Sequence, residues 1–142
     1  MSKPGRKHVR VGHIKHGRNN QGPFHSGSGW HHRPRGQSPP GRRIVAGSRE
    51  TNGTNGVYLA KVEFYDAGSG QWLEKFGGGG KSSFFPDDWT NDEVNAAIEE
   101  AKANSSPHPN NPNGKWLGQS RGIQIEGYTS GYAHGWPYKI QA

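Results

Sequence analysis

An α+β fold built on antiparallel β-sheet, with few helices, is what this sequence predicts. Three observations carry it. One stretch alternates at the period of a strand, one stretch has a helical apolar face behind a capping box, and 23 glycines and 10 prolines cut the rest into short pieces. At 142 residues and 28% hydrophobic, the chain is sized for a single domain with a small core and many loops. That domain is expected over residues 1–142, with residues 1–7 a flexible lead-in.

Between residues 8 and 14 only Val9, Val11 and Ile14 are apolar, which permits a short strand or a helical turn. Residues 17–29 read as loop from their Gly, Asn and Ser content, and residues 31–43 (HHRPRGQSPPGRR) as loop from three prolines and four arginines. A short strand is expected at 44–46. Residues 57–65 are the clearest strand: Tyr58, Ala60, Val62 and Phe64 share one face, Lys61 and Glu63 the other. The run AGSG at 67–70 is a turn, and 71–76 returns as the second arm of a hairpin.

Four glycines at 77–80 precede Lys81. Such a backbone can approach a ligand closely or simply be slack. The helix follows. Thr90 is the N-cap, Glu93 completes the capping box, and Val94, Ala97, Ile98 and Ala101 make one apolar face. Asn104 and Pro107 end it. Residues 105–118, rich in Pro and Asn, are expected to be loop. Ile123 and Ile125 mark a strand at 122–128. Trp136, Tyr138 and Ile140 alternate in a final one, joined to it through a hairpin loop at 129–135.

The net charge of +7 is unevenly placed. Residues 1–49 carry 11 Lys/Arg and no acid, whereas residues 50–142 carry seven Lys/Arg against 11 acids. The first third is therefore a polyanion-seeking surface, with nucleic acid as the leading partner. A solvated basic tail explains the charge equally well when charge is taken alone. With no cysteine, disulfide, thiol and Cys-based metal chemistry are excluded. No apolar run is long enough to span a bilayer, so membrane insertion is not expected. His13, His16, His31 and His32 raise the thought of a metal site, but the spacing fits no finger pattern and few acids stand near to support ligands. No metal and no cofactor are expected.

Residues 8–30 hold four of the eight histidines (His8, His13, His16, His25) in a field without acids. Imidazoles beside cations suit proton transfer at a phosphate. Cleavage of RNA by its own 2′-OH needs a base, an acid for the departing 5′-oxygen, and a cation to stabilise the phosphorane. Two histidines and a lysine suffice.

The segment KHVRVGHIKHGRNNQGPFHSG resembles the paired-histidine segment of the EndoU endoribonucleases, H-V-x-V-G-E-I-x-x-G followed by G-F-H. His8, Val9, Val11, Gly12 and Ile14 match its first half and Phe24-His25 its second. Pro23 intrudes between Gly22 and Phe24, and His13 replaces the glutamate. Three later segments are similar to the bacterial EndoU toxin domains: NGVYLAKVEFYD (55–66), KSSFFPDDWTNDEVNAAIEEA (81–101) and SRGIQIEGY (120–128). Four pieces in the right order are more specific than any one.

The resemblance implies an EndoU-like catalytic domain of RNase A-like kind. It implies His8 as general acid and His25 as general base, an orientation the sequence leaves open, and Lys81 as the phosphate-stabilising cation, with Lys75 as the runner-up. It places His134, Trp136 and Tyr138 at substrate binding. His134 stands where the family carries a hydroxyl residue, which puts uridine preference in doubt. The plainer reading of Trp136 is core packing. The resemblance also implies a metal-independent endoribonuclease toxin, secreted or delivered, acting in the cytoplasm of a target cell on RNA such as tRNA, and countered by an acidic immunity protein. Two rivals stand beside it. One is a non-catalytic RNA-binding module stacking bases on Trp30, Trp116 and Trp136. The other is a protein–protein module whose basic face meets an acidic partner.

Overall fold

The computed structural model describes residues 1–15, 25–53 and 55–139. His16 and the first residues of the G-P-F-H motif, like Ile140, lie outside the described residues. The architecture is α+β, mostly antiparallel sheet with two α-helices among the described residues.

The first departure from expectation is at the start. Helix α1 (Lys3–Arg10) takes in residues 3–7, expected as a flexible lead-in, and continues into the segment from residue 8 where a helical turn was one of the two expectations. Ser2 caps it by accepting from the Gly5 N–H, Pro4 sits in the first turn where its missing N–H costs nothing, and Lys7 and Arg10 in the last turn complement the helix dipole. Gly5 presses so closely on the residue 129–135 loop that a Cβ there would lie 1.8 Å from the Ala133 carbonyl oxygen. β1 (His13–Lys15) and β2 (Ser26–Ser28) then pair as a small antiparallel ribbon.

The central strand is β5 (Tyr58–Asp66), and its alternation is the one expected: Tyr58, Ala60, Val62 and Phe64 are buried. β3 (Arg42–Ile44) and β6 (Gln71–Glu74) flank its second half. β4 (Glu50–Thr51) and β7 (Lys81–Phe84) flank its first half. Trp30 packs edge-on against Phe64 and Phe84 at the heart of this sheet's core.

Helix α2 (Asn91–Ala103) has both arms of the capping box at Thr90 and Glu93, and buries Val94, Ala97, Ile98 and Ala101. It lies on a second sheet. Residues 105–118, expected to be loop, are instead β8 (Ser106–His108) and most of β9 (Asn111–Ser120). The prolines are tolerated by position: Pro107 is on the edge strand, and Pro112 precedes the segment 115–120 that pairs with β10 (Ile123–Tyr128). β11 (Trp136–Pro137) closes the order β11-β10-β9-β8. Gly118 lets α2 approach, since a Cβ there would fall 1.9 Å from the Ala101 carbonyl oxygen. No described helix is long and apolar enough to cross a membrane.

Candidate active-site cleft

The two sheets meet where β7 touches β11. A cleft of about 580 Å³ opens there. Helix α1 and the β1–β2 ribbon line one side, residues 75–81 another, and the β9–β11 sheet with the 130–134 loop a third.

His8 is delivered by the last turn of α1 and is only 9% exposed. Its carbonyl accepts from Trp30 N–H at 2.8 Å, and the Val9 carbonyl from His31 N–H at 2.6 Å, so the helix end is stitched to the segment after β2. Trp30 takes the left-handed backbone conformation (φ 71°) at this junction. Three further imidazoles surround His8: His134 with ring centroids 4.2 Å away, His13 at 5.7 Å and His31 at 5.9 Å. Tyr132 Oη lies 3.2 Å from His8 Nδ1.

Backbone carbonyls fix two of these tautomers. His31 Nδ1–H donates to the Ser83 carbonyl at 2.8 Å, and His134 Nδ1–H donates to the Tyr132 carbonyl at 3.0 Å. Each therefore keeps a bare Nε2 as acceptor, and that of His134 is buried without a partner among the described residues. Burial, reinforced by the charges of His134, Lys75, His13 and Lys15, lowers the His8 pKa to about 3. Burial likewise depresses His13, His134 and, well below the ordinary value, His31. The cluster is one of neutral imidazoles.

Lys75 is the cation at its base. Its ammonium donates to Ser82 Oγ at 2.9 Å and to the Gly29 carbonyl at 3.1 Å, and Ser82 Oγ in turn donates to the Trp30 carbonyl at 2.6 Å. Burial, then the charge of Lys139, brings the Lys75 pKa down to about 7. Lys81 also lines the cleft, but its ammonium is held by Glu50 at 2.9 Å and its side chain is 37% exposed. Lys15, Lys115 and Lys139 complete a cationic wall. The only acid lining the cleft among the described residues is Glu126, bonded to Lys115 at 3.2 Å with His108 Nε2 at 3.8 Å.

The structure thus gathers His8, Lys75, Lys81, His134 and Trp136 around one cleft. His25 is exposed just before β2, whose Ser26, Gly27 and Ser28 line the wall, but His25 is not itself among the lining residues. Tyr138 packs edge-on to His108 at 5.6 Å rather than lining the cleft. Trp136 is 9% exposed and stacks on His31 at 5.5 Å and 21°, so packing and lining are both its roles. Trp30 and Trp116, at 0% and 4% exposure, offer no stacking surface; this corrects the rival reading that used them to bind bases. His31 was singled out in the sequence only as a candidate metal ligand, and Tyr132 not at all; the structure places both in the cleft. His32 caps the entrance to α2 instead, with Nε2–H donating to the Trp89 carbonyl at 2.8 Å. No group of three side chains suited to a metal ion occurs among the described residues.

The family described as bacterial EndoU nuclease matches residues 7–138. No curated protein and no solved structure gives a significant match. The matched segment takes in both His8, near its start, and β11, near its finish, and the chain belongs to the bacterial EndoU nucleases.

Proposed function

We propose that this domain is a toxin nuclease that cuts RNA, tRNA among its substrates, by attack of the ribose 2′-OH on the adjacent phosphate. The products are a 2′,3′-cyclic phosphate and a 5′-OH. The observation that carries the reading is the meeting of a neutral imidazole, His8, with the buried ammonium of Lys75 in a lysine-walled cleft.

His8, unprotonated at neutral pH, takes the 2′-OH proton, which reverses the orientation implied by resemblance. His25, exposed and next in sequence to the β2 residues that line the cleft, delivers a proton to the leaving 5′-oxygen in this reading. Lys75 rather than Lys81 stabilises the phosphorane, because Glu50 already neutralises Lys81, whereas Lys75 lines the cleft near enough to His8 to act on its charge and has no acid partner among the described residues. An entering phosphodiester restores full charge to Lys75 and raises the proton affinity of His8 together. Trp136 and His134 receive one base. Delivery into a target cell and neutralisation by an acidic immunity protein follow from the same reading, the cationic wall being the surface such an inhibitor would cover.

Incubating the pure protein with total tRNA and chelator, then mapping the ends, tests this. Cyclic-phosphate ends are expected from the wild type, and none from His8→Ala or His25→Ala, with RNA binding kept within a few fold. Near-normal cleavage by either variant removes that histidine from the mechanism. Binding without new ends would favour a non-catalytic RNA module.

A further inference from the structure

Four large apolar side chains are exposed among the described residues: Phe76 at 84%, Tyr128 at 46%, Tyr65 at 41% and Tyr132 at 38%. All but Tyr65 line the cleft. Tyr132 is engaged with His8, and Tyr128 leans on Trp136 at 5.2 Å beneath the Lys115 ammonium. Phe76 alone stands open.

Its backbone is not slack. Phe76 N–H donates to the Gly27 carbonyl at 3.3 Å, and Gly27 bridges to Lys75 in parallel register. Gly27 itself lies flat on the Phe64 ring, where any Cβ would come within 2.0 Å. On the other side Gly77 and Gly78 take positive φ, and Gly77 has nothing within 4 Å of where a Cβ would be. A phenyl ring is thus held on a pinned backbone at the lip of a cationic cleft, directly after the lysine at its base, with open space beside it. Leaving that ring in water gains nothing for the fold.

We propose that Phe76 is a stacking platform for one unpaired nucleobase of the RNA strand, a second base position besides the one at Trp136. This deepens the nuclease reading and rests on it. The lysines of the wall specify a polyanion, and the flat, uncharged ring specifies the π-face of a base without regard to its identity. The substrate class is therefore single-stranded RNA held at two bases, and a paired helix, whose bases are already stacked, is a poor occupant.

The test is a cycle between protein and ligand. A fluorescent 2′-fluoro hexanucleotide of mixed sequence, which lacks the attacking hydroxyl, is bound intact and with an abasic residue at each position in turn. Phe76→Ala is expected to weaken the intact hexamer about five- to tenfold and Phe76→Trp to keep it. Phe76→Ala should also become indifferent to the loss of one particular base that costs the wild type the same factor. Equal affinity of Phe76→Ala and wild type overturns the proposal, as does a loss that simply adds to every abasic loss. Cleavage of the matching ribo-hexamer by wild type is scored separately. Tight binding without cleavage would sink the catalytic reading while leaving the stacking result to stand on the cycle.

Discussion

At the scale of single residues, the proposed chemistry turns on one lysine and one phenol. Lys75 keeps its proton below about pH 7 and loses it above, so phosphate stabilisation in the free enzyme fades as pH rises through 7. The profile of kcat/KM should show that alkaline limb, and Lys75→Arg, whose guanidinium stays charged, should move it upward by at least two pH units. Lys75→Ala should cost at least about 100-fold in kcat, as loss of a charge-stabilising donor does, whereas Lys81→Ala should cost far less. Tyr132→Phe removes only the hydrogen bond to His8 Nδ1. A drop in kcat of about fivefold with KM unchanged is expected, the worth of one neutral hydrogen bond. The place of His8 in the cleft was legible because its neighbours form a motif. The different settings of Lys75 and Lys81 were not, because the four-glycine run lies between them and only burial and the Glu50 pair distinguish their ammonium groups.

At the scale of elements, local rules were read correctly where the pattern was strictly local. The β5 alternation and the Thr90–Glu93 box needed no tertiary information. Thr90→Ala should destabilise the fold by about 1 kcal/mol, seen as a lower denaturant midpoint at unchanged slope. Helix α1 and strands β8 and β9 were missed for a shared reason: they are polar, carry Pro or Gly, and exist because something packs on them. Gly5 shows the dependence. Gly5→Ala would raise helix propensity yet drive a methyl into the Ala133 carbonyl, so α1 must shift and carry His8 with it. Cleavage should fall at least tenfold while circular dichroism stays near wild type; unchanged cleavage would mean the helix end is not what places His8.

At the scale of the whole molecule, the site is held at the expense of stability in acid. The folded chain refuses a proton at His8 until about pH 3, whereas the unfolded chain takes it near 6.5. Stability must therefore fall as pH drops from 6.5 toward 3, and the depressed His13, His31 and His134 pull the same way. The melting temperature at pH 4.5 should lie below that at pH 7, and His8→Gln should flatten the difference. The basic first third seen in the sequence supplies part of the cleft, but Lys75, Lys81, Lys115 and Lys139 come from the net-acidic remainder. Charge counted along the chain located a polyanion surface without locating its floor.

The hydrogen bond between His8 and Tyr132 spans 124 positions. A ribosome is itself built of RNA, and it extrudes this chain from the His8 end. Until the segment carrying Tyr132 and His134 has emerged, one wall of the cleft is missing, so the machine that performs the synthesis meets no assembled site while His8 alone is out. Truncations that stop short of residue 130 should accordingly be harmless to a translating extract, however much of the family's signature they retain.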